Sequence, residues 1–391
     1  MELTWRWFGK NDKITLDMLR QIGVEGIVTA LHDVPNGEVW TVEAINDLKA
    51  YIESYGLRWS VVESLPVSEA IKYAGDDRDR LIDNYRLSLA NLGKCGIHTV
   101  CYNFMPVIDW IRTDLNHRWD DGTSSLYFDR VRFAYFDVKI LRRAEAGKDY
   151  TPEELRQVDE LDARITEAEK EELIDTIIVK TQGFVNGNIR EGERHPVALF
   201  KKLLALYDGI DRNALRENMR YFLEAIMPTC DEYHINMCVH PDDPPFQVLG
   251  LPRIVTDEAD IRWFLEAVNN PHNGLTFCAG SLSAGEQNDT RLLAKEFAHR
   301  THFIHLRSTA AMPGGNFIES SHLTGRGHLI DLIRIFEQQN PQLPMRVDHG
   351  RMMLGDEDKG YNPGYSFHGR MLALAQVEGM IAVVDDELKN S

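Results

Sequence analysis

Cysteine is scarce in this sequence: five in 391 residues, at positions 95, 101, 230, 238 and 278. The number is odd, and neither a Cys-x-x-Cys pair nor a zinc-finger spacing occurs. That argues against a disulfide framework and for a reducing compartment, the cytoplasm. Positive charge is also short. Lys and Arg number 43 against 61 Asp and Glu, a net charge of −18 with His neutral. Such a surface repels phosphate backbones and anionic lipid, so neither nucleic acid nor membrane is expected as a partner. No apolar run approaches the roughly 18 residues of a bilayer span. The first residues, MELTWRWFGKND, show neither an apolar signal core nor a cleavage site. Both nucleotide-binding fingerprints, the Gly-rich dinucleotide turn and the Gly-Lys phosphate loop, are missing.

What is present is ordinary globular material, 43% hydrophobic and 27% charged, enough for a large core. Short β-branched or aromatic runs alternate with amphipathic stretches. The predicted strands are Leu3–Phe8, Gly26–Leu31, Leu57–Glu63, Ile97–Asn103, His234–His240, Leu275–Cys278, His302–Leu306 and Met345–Asp348. Helices are predicted over Thr41–Tyr55, Arg78–Lys94, Arg212–Glu232, Asp257–Val268, Asp289–Arg300, Gly327–Gln339 and Phe367–Glu378. Eight βα units favour an α/β fold of the closed TIM (β/α)8 type over a doubly wound open sheet. The whole chain, 1–391, is expected as a single TIM-barrel domain. A long helical insertion, 104–211, is expected to decorate it between the fourth and fifth strands. Its stretch Arg142–Glu172, rich in Glu, Arg, Lys and Ala, reads as one or two solvent-facing helices.

TIM-barrel chemistry sits at the C-terminal ends of the strands. There the sequence delivers Arg6 and Trp7, Asn103, His240, Cys278, His305, and Asp348 with His349. His240, Cys278, His305 and Asp348 are first-row metal ligands by type, and their separations of 38, 27 and 43 residues are successive βα-unit lengths. They can converge on one metal if the strand register turns all four inward. Asp242 and Asp243, in HPDDPP, either orient a ligating imidazole or cap their turn. His349, beside Asp348, has the near-neutral pKa of a proton-transfer group. Tyr365, in NPGY, is either a phenolic acid, a substrate-hydroxyl anchor or an aromatic covering the core. Arg307 and Arg351 flank the ligand cluster and suit a small carboxylate, unless both pair with local acids. Asn103 opens a turn suited to a sugar hydroxyl or to a purely structural role.

The strings WRWFGKND, GIVTALHDVP, CYNFMPVIDW, HPDDPP followed by GLPRI, HNGLTFCAGS, FIHLRS, and DHGRMMLGD followed by NPGY run from Trp5 to Tyr365. In this combination the sequence resembles the mannonate dehydratase family, enzymes of hexuronate catabolism that convert D-mannonate to 2-keto-3-deoxy-D-gluconate and water. The resemblance implies a xylose-isomerase-like barrel and a divalent metal, Mn²⁺ or Fe²⁺, on His240, Cys278, His305 and Asp348. It implies an acid–base pair on His349 and Tyr365. From the strand ends, a substrate region is expected at Trp7, Asn103, Arg307 and Arg351. The expected partner is a small sugar acid, and a homo-oligomer is a possible assembly. Two competing functions are a metal-dependent sugar isomerase or epimerase and a non-catalytic sugar-acid-binding protein. The first typically uses more carboxylates, and the second does not account for His349 and Tyr365.

Overall fold

The structure is a computed structural model that describes residues 1–183, 189 and 192–390. Positions 184–188, 190 and 191 of the expected insertion 104–211, and residue 391, lie outside the described residues. Eight parallel strands form a closed barrel: β1 (Glu2–Arg6), β2 (Gly26–Thr29), β3 (Arg58–Glu63), β4 (Thr99–Tyr102), β7 (Asn236–Val239), β8 (Asn273–Cys278), β9 (Thr301–Leu306) and β12 (Pro344–Val347). Four more strands, β5 (Asp114–Arg118), β6 (Ser124–Phe128), β10 (Thr309–Met312) and β11 (Asn316–Glu319), make a second, antiparallel sheet. The barrel closes where β1 pairs with β12, Glu2 opposite Pro344, which settles against the open doubly wound sheet.

The strands are short, and nearly every residue in them is shielded from solvent, as expected for a parallel sheet wrapped by helices. Between sheet and helices lies the main core, from Trp5 and Ile27 to Val377 and Val384. Helix starts follow capping chemistry. The Thr41 hydroxyl accepts the Ala44 N–H, Asp211 accepts that of Ala214, and Thr151 and Thr166 form reciprocal capping boxes with Glu154 and Glu169.

The excursion after β4 departs from a purely helical insertion. Helices are present at Pro152–Asp162 and Glu167–Ile174, inside the stretch expected to be helical. The excursion also contributes β5 and β6, which pair through β6 with the β10–β11 hairpin that follows barrel strand β9. The second sheet thus fastens residues 114–128 to residues 309–319, over the C-terminal mouth of the barrel. Among the described residues, no helix is long and apolar enough to cross a membrane.

Candidate active site

Strand alternation builds the site in layers. Side chains two apart along a strand share a face. Val61 therefore underlies Glu63, Cys101 underlies Asn103, Cys238 underlies His240 and Phe303 underlies His305. Val28, Val61, Cys101, Cys238 and Phe303 form an apolar cluster separate from the main core, the floor of the site. The Phe303 ring meets the His305 ring edge-on at 4.7 Å. Registers Cys278 opposite His305 and Arg346 opposite His305 bring three neighbouring strands level above that floor.

His240, Cys278 and His305 each offer a ligand atom, and the three atoms lie within 4.8 Å of one another. His240 Nε2 stands 3.2 Å from His305 Nδ1. Asp348 Oδ2 is 3.9 Å from that same nitrogen and 4.0 Å from Cys278 Sγ. The predicted quartet is thus brought together. Its chemistry fits a metal ion. Burial alone would raise the Cys278 thiol, but Arg307 and His240 hold it well below the ordinary range, in the thiolate form a metal needs. Burial would likewise lower His240, yet the facing Cys278 raises it to about 10. The buried thiolate therefore calls for a positive charge beside it. A second group, Glu63, Cys101 and His305, is as compact. Its thiol is pushed up by burial and its carboxylate is paired with Arg346, so its donors suit a metal less well.

Above the ligands opens a cavity towards solvent. Asn103, Arg307, His349 and Tyr365 line it, together with His240 and Asp348, as the sequence led us to expect. Two expected substrate residues do not. Trp7 is buried on the other side of its strand end, its ring stacked on Tyr51 at 6.2 Å, and Arg6 takes the cavity position. Arg351 points to the excursion, pairing with Asp121 at 3.0 Å and lying 4.1 Å over the Trp119 ring. The local-pairing alternative holds for both arginines: Arg307, although it lines the cavity, pairs with Asp243, Glu319 and Asp348. Asp242 and Asp243 do not orient an imidazole either. Asp242 accepts the Ile254 and Val255 N–H groups, both at 2.8 Å, and so shapes its loop.

Asp243 belongs to a closed ring of buried charge. Arg112, from the excursion, donates to Asp243 at 2.8 Å and to Glu319 at 2.6 Å. Arg307 pairs with the same two carboxylates and, through Nε at 3.0 Å, with Asp348. All four members of the ring are almost fully buried. His349 rests on it: Nδ1 is 3.2 Å from Glu319 Oε1 and 2.9 Å from Arg307 Nη1. His349 is further packed by Trp110 at 5.4 Å and Tyr365 at 5.3 Å. Gly364, at φ +80°, makes the last contact: a side chain there would meet His349 Cδ2 at 2.9 Å. The glycine of NPGY is what lets the loop lay Tyr365 against the imidazole. The Tyr365 hydroxyl donates to Asp348 Oδ1 at 3.3 Å, and burial pushes its pKa up.

Burial would raise Glu319, but Arg307 and Arg112 bring it down to about 2. A depressed carboxylate stabilises the fold fully above its unfolded pKa of about 4.3 and progressively less as pH falls towards 2. Acid unfolding of Glu319→Gln should accordingly depend less steeply on pH between about 4 and 2 than that of the parent. Equal slopes in that window would show that Glu319 does not supply the linkage.

Several wall residues escaped the sequence reading: Phe8, Glu63, Asp109, Trp110 and Arg346. Glu63 was within reach, because it ends the third predicted strand and the strand-end rule finds it directly. Arg346, two residues before Asp348, is its alternation partner and donates to both Glu63 and Asp348. Asp109 and Trp110 sit in the excursion, where sequence spacing carries no register. Glu319 and Arg112 belong to the second sheet and its approach, which the strand pattern did not reveal.

Comparison with known proteins follows the same lines. The family model of D-mannonate dehydratase (UxuA) matches residues 1–391. A mannonate dehydratase of Marinomonas sp. (strain MWYL1) is 44% identical over 390 residues, covering 97% of this chain and 98% of the relative. The crystal structure of mannonate dehydratase from Streptococcus suis serotype 2 superposes with a TM-score of 0.79 at 32% identity, covering 99% of this chain and 96% of that one. A xylose isomerase domain protein from Planctomyces limnophilus shares the barrel alone, with a TM-score of 0.50 at 8% identity, covering 100% of this chain and 99% of that one. With the whole length matched and the barrel, the cavity and its ligand cluster in place, this chain belongs to the D-mannonate dehydratase family.

Proposed function

We propose that this chain removes water from D-mannonate to give 2-keto-3-deoxy-D-gluconate, with His349 and Tyr365 as its acid–base pair and Mn²⁺ or Fe²⁺ on His240, Cys278, His305 and Asp348. The observation that carries the proposal is the juxtaposition of the compact His240–Cys278–His305 group with His349 and Tyr365, both in contact range of Asp348. The reaction takes a weakly acidic proton from C2 and expels hydroxide from C3, and both events build negative charge. A divalent ion bound there supplies Lewis-acid stabilisation of that charge. The thiolate and two imidazoles suit Fe²⁺ by softness, whereas Mn²⁺ prefers oxygen donors.

The chain's own groups do the proton work. Arg307 and Glu319 both hold His349 at Nδ1, which orients the ring and leaves Nε2 to exchange a proton with substrate. Tyr365 keeps its phenolic proton, since burial and the neighbouring Asp348 both raise its pKa, and is placed to assist a leaving hydroxyl. Asn103 and Asp109 offer hydrogen bonds to the sugar hydroxyls along the wall. All five cysteines are buried and free, in keeping with a cytoplasmic enzyme.

The test is a metal-stripped assay on D-mannonate, with either metal restored anaerobically and the 2-keto acid followed. Metal-dependent product is expected. Folded, metal-binding protein without turnover would turn the assignment to an isomerase or epimerase first and a sugar-acid-binding protein second. In the same preparation Cys278→Ala should lower metal content, and full occupancy would remove the thiolate as an essential ligand.

A further inference from the structure

Three arginines line the cavity, and two of them are already neutralised. Arg307 is paired with Asp243, Glu319 and Asp348, and Arg346 with Glu63 and Asp348. Arg6 is different. Among the described residues its guanidinium takes part in no ion pair, although the residue is only 8% exposed. Its Nη1 is buried with no hydrogen-bond partner. The face of Phe8 lies 5.0 Å from the guanidinium carbon. A buried cation left without a counterion is costly, and ordinary cores do not keep one. The cost is fixed by the fold. Arg6 is the last residue of β1, level with Val28 of β2, and its carbonyl accepts from Arg370 at 3.3 Å.

We propose that Arg6 is the carboxylate receptor of the cavity, its guanidinium fork binding the C1 carboxylate of the sugar acid. A planar fork matches a carboxylate through two parallel N–H···O bonds, and the ligand's charge completes the ion pair that the protein leaves open. The surroundings favour an anion at this point over a hydroxyl. Burial pulls the Arg6 pKa below its ordinary value even though Glu63 and Tyr365 oppose the shift, so an arriving negative charge that pairs directly with the guanidinium is stabilised there. The assignment also orients the substrate. C1 lies at the ends of β1 and β12, beside Asp348 and Tyr365, and the polyhydroxyl tail extends towards Asn103, Asp109 and Trp110. Selectivity for acids over the corresponding polyols then rests on one residue.

The inference rests on the sugar-acid assignment above, and the experiment separates the two. In the metal-loaded enzyme, Arg6→Met should raise KM for D-mannonate by about 10- to 100-fold, the worth of charge-assisted hydrogen bonds, with a smaller change in kcat. Arg6→Lys retains the charge without the fork and should fall between. Added guanidinium at millimolar concentration should restore part of the Arg6→Met loss. D-mannitol, which lacks the carboxylate, should compete equally poorly against parent and variant. Unchanged KM in both variants, or mannitol binding the parent as tightly as mannonate, overturns the role. Should the parent fail to turn over D-mannonate, calorimetric titration still decides. Binding of D-mannonate and D-gluconate to the parent, lost in Arg6→Met or weakened in Arg6→Lys if the methionine variant does not fold, upholds Arg6 while the reaction assignment falls. No binding of either acid to the parent overturns both.

Discussion

His349→Asn should lower kcat by about 10²–10⁴ while leaving metal content unchanged, the range typical for loss of a positioned acid–base group. The argument is geometric. His349 touches no other predicted ligand than its chain neighbour Asp348, 3.8 Å away, so removing its ring leaves the His240–Cys278–His305 group intact. Asparagine can still hydrogen-bond to Glu319 but cannot exchange a proton with substrate at neutral pH. Tyr365→Phe should lose a similar factor. The phenyl ring keeps the edge-on contact with His349 and with Phe8, so only the hydroxyl is tested. Steady-state kinetics beside elemental analysis read both effects. Near-normal turnover in either variant takes that residue out of the chemistry.

Asp243→Ala should destabilise the fold by about 3–5 kcal/mol, because breaking a buried ion pair strands its partner charges in a poor solvent. Here two charges lose a partner. Arg112 would be left with Glu319 and Arg307 with Glu319 and Asp348, and Ser281, which donates to Asp243 at 3.1 Å, would lose an acceptor as well. The burial pattern sets the magnitude. Arg156 and Glu153, on the exposed helix Pro152–Asp162, form a pair just as close, yet Glu153→Ala should cost no more than about 1 kcal/mol. Urea unfolding of the two variants against the parent measures the contrast. A cost for Asp243→Ala similar to that of Glu153→Ala would mean that the ring is dispensable to the fold.

The barrel was legible because its strands are short apolar runs bounded by polar or proline residues, and because its helices carry strong boundary signals. Arg78–Lys94 begins and ends where its pattern does. The last helix runs past its expected end at Glu378 to Asn390. Gly379 looks like a stop, but Met380 and Val384 continue the buried stripe of Ala373, Leu374 and Val377, and tertiary burial outweighs the local cost of one glycine. The second sheet was illegible for the opposite reason. Asp114–Arg118 is polar and half-exposed, and Thr309–Met312 is threonine, two alanines and a methionine, so neither shows a two-residue apolar period. Each pairs only with its neighbouring strand, and the two hairpins are joined by the β6–β11 pairing across nearly two hundred residues, which no local pattern announces. In the site, the ligand quartet was readable from βα spacing, while Trp7 in place of Arg6 shows how one step along a strand exchanges wall for core.

Closure of the barrel between β1 and β12 also sets a timetable. The Thr4 hydroxyl donates to the Met345 carbonyl across 341 positions of chain, so the first strand to leave the ribosome must wait for one of the last. Until Pro344–Val347 emerges, β1 and β9 each keep a row of unsatisfied backbone groups along one edge, open to any other extended chain. Asp348, His349 and Tyr365 arrive only with or after that closing strand. A nascent chain is therefore inert for almost the whole of its synthesis, and its catalytic apparatus and its protection against aggregation are completed together.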